Sequence, residues 1–171
     1  MNRGRIIFVI GVSGSGKSTI AKGLADANGA VFLEGDEFHP PENVAVMASG
    51  RPLTDEMRWG WLHSLASAAD EQAKTGSLVL VSCSGLKRAH RDALRKVAAP
   101  CEFLFLQGAQ EIISARMRAR KNHYMPASLL DSQFEALEIP DSTETDVETV
   151  SISDTPETII HQAQMILFFP R

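Results

Sequence analysis

Gly11-Val12-Ser13-Gly14-Ser15-Gly16-Lys17-Ser18 matches G-x-x-x-x-G-K-[ST] at every defined position. The apolar run Arg5-Ile6-Ile7-Phe8-Val9-Ile10 precedes it and reads as a buried parallel strand. Thr19-Ile20-Ala21-Lys22-Gly23-Leu24-Ala25 follows and reads as a helix. A strand, a glycine-rich loop and a helix in that order form a phosphate site. Glycines let the backbone curl until successive N–H groups face phosphate oxygens. The helix N-terminus adds its partial positive charge. Lys17 reaches the outer phosphates, and the Ser18 hydroxyl suits a magnesium ion. A Gly/Ser-rich turn with an accidental lysine is the bland alternative, and the agreement of both flanking elements argues against it.

Working outward, strand-like and helix-like segments alternate, which implies an α/β sandwich around a parallel sheet. The expected strands after the first are 30–33, 77–82, 103–106 and 147–152. The expected helices are 54–73, 86–95, 110–120, 129–137 and one opening at Asp154-Thr155-Pro156, with proline at its first position. Met57, Trp61, Leu65 and Ala68 share one face of the 54–73 helix. Ile112, Ile113 and Met117 form the expected packing face of 110–120. The segments 34–41 and 47–53 read as connections. No repeat, linker or low-complexity segment interrupts the 171 residues, so one domain over 1–171 is expected.

Composition narrows the classes. The chain is 44% hydrophobic and 22% charged, ordinary for a globular protein. A net charge of −4 argues against electrostatic nucleic-acid binding. No apolar run is long enough to cross a membrane, and the first strand begins too early to leave room for a signal peptide. Cys83 and Cys101 read as reduced core thiols, so a cytoplasmic protein is expected.

A phosphate loop alone implies only a nucleotide triphosphate. No N-K-x-D base-reading motif of a GTPase is present, and the third strand ends in Ser82-Cys83-Ser84 where a motor ATPase carries Asp or Asp-Glu. A small phosphotransferase is favoured. Ligands of open parallel sheets sit beyond the carboxyl ends of the strands. Asp36, after the second strand, is the first choice for orienting an acceptor hydroxyl and taking its proton. Glu34 projects to the same side and could hold magnesium through water. His39 suits a substrate hydroxyl or carboxylate, or simply orders its loop. Arg116, Arg120 and Lys121 precede a helix break at His123 to Pro126, the makings of a cationic lid over about 116–128. Arg58, Lys87 and Arg91 could meet an anionic substrate.

Taken together, Gly11 to Ser18, Glu34-Gly35-Asp36-Glu37-Phe38-His39-Pro40, Met47-Ala48-Ser49-Gly50-Arg51-Pro52-Leu53-Thr54-Asp55, Cys83-Ser84-Gly85-Leu86-Lys87 and Ala119-Arg120-Lys121-Asn122-His123-Tyr124 resemble the bacterial-type gluconokinases. These are small P-loop kinases of the shikimate and nucleoside-monophosphate kinase superfamily. The G-D-x-x-H-P and M-A-S-G-x-P-L-x-D segments are the specific part of the resemblance, which spans nearly the whole chain. Glu34 stands where that family often has Asp.

The resemblance implies a P-loop NTPase three-layer sandwich with five parallel strands and a helical lid. It implies ATP-dependent phosphorylation of D-gluconate at its terminal hydroxyl, with magnesium, by a homodimer. Carried over, Lys17, Asp36 and Arg120 become catalytic. Gly11, Val12, Ser13, Gly14, Ser15, Gly16, Lys17, Ser18 and Thr19 hold ATP, Arg116 stacks on adenine and Arg120 closes on the phosphates. Asp36, His39, Arg58, Lys87 and Arg91 meet the sugar acid, and Ser18 and Glu34 serve the metal. The rivals are shikimate kinase or another small-molecule P-loop kinase, and a nucleotide-binding regulator without catalysis.

Overall fold

The computed structural model describes residues 4–119 and 127–169. Five strands form one parallel sheet: β1 (Arg5–Ile10), β2 (Val31–Glu34), β3 (Leu78–Cys83), β4 (Cys101–Gln107) and β5 (Val147–Ser151). Their order is β2-β3-β1-β4-β5, which puts β1 at the centre. The helices are α1 (Lys17–Asn28), α2 (Pro41–Ala48), α3 (Asp55–Ala73), α4 (Arg88–Leu94), α5 (Gln110–Ala119), α6 (Ala127–Ala136) and α7 (Pro156–Phe168). A 3-10 turn, Gly35–Phe38, continues β2.

Alternation along β1 explains the layers. Ile7 and Val9 point into a core shared with Ala21 and Leu24 of α1 and Ile159 and Ala163 of α7. Ile6, Phe8 and Ile10 point the other way, onto Trp61, Leu62 and Leu65 of α3 and Leu94 of α4. A strand buried on both faces must be apolar at every position, as this one is. Thr54 caps α3 by accepting a hydrogen bond from the Met57 N–H at 3.2 Å, and Thr155 does the same for α7.

Three expectations about elements need correction. The stretch after β2 is helical: the 3-10 turn is followed by α2, whose first residue is Pro41. The buried face of α3 is Trp61, Leu62, Leu65, Ala69 and Ala73, so Ala68 lies beside the core rather than in it. On α5, Ile113 is buried but Ile112 is exposed. Of the expected lid, residues 120–126 lie outside the described residues; 116–119 end α5, and α6 begins at Ala127. No helix among the described residues is long and apolar enough to cross a membrane.

Candidate active site

The carboxyl ends of β1, β2 and β3 converge on one edge of the sheet, where open parallel sheets bind ligands. β1 runs directly into the glycine-rich loop. Gly16 stands before α1 with φ 95°, in the left-handed region that glycine occupies without strain. Among the described residues no side chain caps α1, so its first N–H groups suit an anion. The Lys17 ammonium donates to the Val12 carbonyl at 2.9 Å. Ser18 and Thr19 are exposed in the first turn of α1.

β2 delivers the acidic pair. Glu34 lies opposite Ser82 in the sheet, and the Ser82 hydroxyl donates to Glu34 Oε1 at 2.7 Å. That hydroxyl also accepts from the Gly35 N–H at 3.1 Å. Gly35 is obligatory here, since a Cβ would sit 2.0 Å from the Ser82 carbonyl oxygen. Its own carbonyl accepts from Trp61 Nε1 at 2.8 Å. The turn that presents Asp36 is therefore tied to both β3 and α3.

A cleft of about 360 Å³ opens between these elements, lined by Ser13, Lys17, Asp36, His39, Arg58, Lys87 and Gln133, among others. The His39 ring stacks on Trp61 with 4.0 Å between centroids. Burial lowers the His39 pKa to about 4, against the upward pull of Asp36 and with a smaller downward push from Arg58, so the ring is neutral at neutral pH. The Arg58 guanidinium is half-buried and makes no hydrogen bond or ion pair among the described residues. Burial lowers its pKa, and nearby Asp55 pulls it back up.

Lys87 has a partner already: its ammonium lies 3.1 Å from Asp55 Oδ2. His90 joins the same carboxylate. The Lys87 N–H donates to His90 Nδ1 at 3.3 Å, so the proton of a neutral ring sits on Nε2, 3.2 Å from Asp55 Oδ1. The bonds from Lys87 and then His90 hold the Asp55 pKa below its ordinary value. Arg91 departs from the expectation that it meets substrate. Its side chain is 1% exposed; Nε and Nη2 fork onto Glu144 at 2.7 Å each, and Nη1 donates to the Gly85 and Leu86 carbonyls. It stands one helical turn below Lys87, inside the protein, where a guanidinium must be neutralised by the fold itself.

On the far side of the glycine-rich loop, a second recess is bounded by Gly14, Gly16, Thr19, Arg116 and Thr155. Ser15 also borders it, with a buried hydroxyl that has no hydrogen-bond partner among the described residues. The Arg116 guanidinium donates to the Asp154 carbonyl at 3.4 Å. The two recesses meet across the loop, a layout suited to a donor nucleotide on one side and an acceptor on the other. Arg120 and Lys121 lie outside the described residues.

Comparison with known proteins agrees with this geometry. Residues 6–140 match the family model described as an AAA domain. The thermoresistant gluconokinase of Escherichia coli K12 is 41% identical over 155 residues, covering 91% of this chain and 89% of that protein. The chain belongs to the gluconokinase family. A gluconokinase structure from Sinorhizobium meliloti 1021 superposes with TM-score 0.83 at 42% identity, covering 95% of this chain and 91% of that one. A sugar kinase structure from Janibacter sp. HTCC2649 superposes with TM-score 0.89 at 46% identity, covering 98% and 96%.

The candidate site contains residues that sequence reasoning passed over. Gln133, on α6, pairs twice with Ser13: its Oε1 accepts from the Ser13 N–H at 2.7 Å, and its Nε2 donates to the Ser13 hydroxyl at 3.0 Å. The end of α6 is fixed to the acceptor side, where the Glu138 N–H donates to the Leu86 carbonyl and Glu138 Oε1 accepts from the Arg88 N–H, both at 2.8 Å. Thus α6 spans from the phosphate loop to the turn bearing Lys87. Asn43 and His90 were also missed, and Asp55, the last residue of the M-A-S-G-x-P-L-x-D segment, was given no role of its own. Asn43 had a local signal: it stands four residues after His39, with Pro41 opening a helix between them.

Proposed function

We propose that this chain transfers the γ-phosphoryl group of ATP to the terminal hydroxyl of D-gluconate, giving 6-phospho-D-gluconate and ADP. The gluconokinase relatives support the substrate, and one observation in the cleft supports it independently. Arg58 is a half-buried cation with no hydrogen bond or ion pair among the described residues, only the longer-range pull of Asp55, and it shares the cleft with Asp36, a carboxylate placed to receive a hydroxyl. A cleft with a waiting cation and a waiting base suits a hydroxy acid.

In this reading the first N–H groups of α1 and the Lys17 ammonium hold the β- and γ-phosphates. Asp36 orients the acceptor hydroxyl and accepts its proton as the oxygen attacks phosphorus and the bond to the ADP oxygen breaks. Arg58 and His39 hold the acceptor carboxylate, and Lys87, tethered by Asp55, the rim. Arg116 borders the adenine recess, and Arg120 and Lys121 belong to a lid over 116–128. The donor set fits magnesium: a hard ion that keeps phosphate and water ligands needs few protein oxygens. Ser18 and, through water, the Glu34 carboxylate would hold it. When bound, it neutralises phosphate charge during transfer. We further propose a single cytoplasmic domain over 1–171 acting as a homodimer, which light scattering would test.

The test is ADP release, coupled to an indicator reaction, with magnesium-ATP and a panel of gluconate, shikimate, glycerate and nucleoside monophosphates. Strong turnover on gluconate alone is expected. Asp36→Asn should lower turnover about 10²- to 10⁴-fold while ATP affinity stays near wild type. Undiminished turnover would remove Asp36 as the base.

A further inference from the structure

Asn43 is 2% exposed, deep beneath the cleft. Its Nδ2 lies 3.0 Å from the Met57 carbonyl oxygen and 3.2 Å from His39 Nδ1. A carbonyl only accepts, so the amide atom facing Met57 must be the nitrogen, which fixes the orientation of the side chain. The amide has two N–H bonds. With one committed to Met57, the other points at His39, and Nδ1 must accept it. A neutral imidazole that accepts at Nδ1 carries its proton at Nε2. Stacking on Trp61 holds the ring plane, and Nε2 has no partner among the described residues.

We propose that Asn43 is a positioning residue that locks His39 as the Nε2–H tautomer, making His39 a fixed hydrogen-bond donor to an oxygen of the acceptor and not a proton acceptor. The charged groups acting on the ring are Asp36, from the turn after β2, and Arg58, from α3. A donor beside the Arg58 cation selects an acceptor oxygen with lone pairs to offer, a carboxylate above all. Proton transfer is left to Asp36. The oxygen's identity rests on the gluconate reading, whereas the tautomer does not.

The tautomer is read directly on the wild-type protein from long-range nitrogen–proton spectra with labelled histidine, His39→Gln supplying the assignment. At pH 7, Nδ1 should be bare and Nε2 protonated. Kinetics then test the role. Loss of a hydrogen bond to a charged oxygen should lower kcat/KM for gluconate about 10- to 100-fold in His39→Phe. His39→Gln, which keeps an N–H near the Nε2 position, should recover most of it.

Asn43→Asp reverses the lock. A carboxylate beside Nδ1 draws the proton there and raises the ring's pKa. Its neutral ring presents a bare Nε2, so kcat/KM should fall as pH rises through that raised pKa and recover below it, where the imidazolium donates again. Wild type should show no such limb. A wild-type ring protonated on Nδ1, or one charged at pH 7, would overturn the proposal. So would a His39→Phe variant with undiminished kcat/KM, or an Asn43→Asp variant that folds and keeps the wild-type pH profile. If gluconate proves not to be the acceptor, the spectrum still decides the tautomer.

Discussion

Arg58 and Arg91 carry the same side chain, on the packed helices α3 and α4, yet their surroundings are opposite. Arg91 is forked onto Glu144 and capped by two carbonyls, and Arg95 extends the cluster by pairing with Glu144, Asp146 and Asp92 while lying 4.8 Å over the Phe103 ring. Arg58 faces the cleft and, among the described residues, makes no hydrogen bond or ion pair, feeling only the longer-range pull of Asp55. A cation whose partners are all within the chain holds the chain together. A cation desolvated without a direct hydrogen-bonded partner costs stability, which an anion arriving from outside would offset. Here α4 is clamped to the segment before β5, whereas the Arg58 cation is left without a direct ion pair among the described residues.

Substitutions on each side should separate the two roles. The largest effect is expected from Glu144→Ala, which strands the buried Arg91 and should cost about 3–5 kcal/mol of unfolding free energy in urea titrations. Glu144→Leu combined with Arg91→Met should recover most of that loss, since an apolar pair needs no counterions. The same clamp should govern acid stability. Glu144 titrates at about 2, below its ordinary 4.5, held down first by the bond from Arg91 and then by that from Arg95. A carboxylate depressed in the folded state stabilises the protein above its unfolded pKa. That contribution should fade as pH falls from about 4.5 toward 2, and be missing in Glu144→Gln.

Next in size is Arg58→Met. It should lower kcat/KM for gluconate by about 2–3 kcal/mol, thirty- to 150-fold, while leaving the unfolding midpoint unchanged or raised. The smallest effect is expected from Gln133→Ala. Loss of its two bonds to Ser13 should lower kcat/KM for ATP about tenfold with little change in KM for gluconate. An equal loss on both substrates would make α6 a general support and not a brace for the phosphate loop.

Sequence alone made the phosphate loop and sheet legible because their constraints are local. Glycine at position 16 is required by the backbone angle at that residue, and the apolar run of β1 by burial on both faces. The start of α3 was equally local: a helix was expected from Thr54, and it begins at Asp55 with Thr54 as its cap. What stayed hidden depended on distant partners. Arg91 resembled a substrate ligand because Glu144 lies 53 residues away. Gln133 carried no signal because Ser13 is 120 residues away. The helix α2 was passed over because its eight residues show little periodicity, Asn43 being the only one buried. Arg58 was equivocal in sequence for the same reason as Arg91: a charge's role is set by what surrounds it, not by its type.

The most direct measurement compares wild type and Arg58→Met on two acceptors, D-gluconate and D-glucitol, which has a neutral CH2OH group in place of the carboxylate. Wild type should strongly prefer gluconate in kcat/KM, and Arg58→Met should erase most of that preference by losing activity on gluconate while keeping its activity on glucitol. An equal loss on both acceptors, with the preference intact, would contradict the assignment of Arg58 to the acceptor carboxylate.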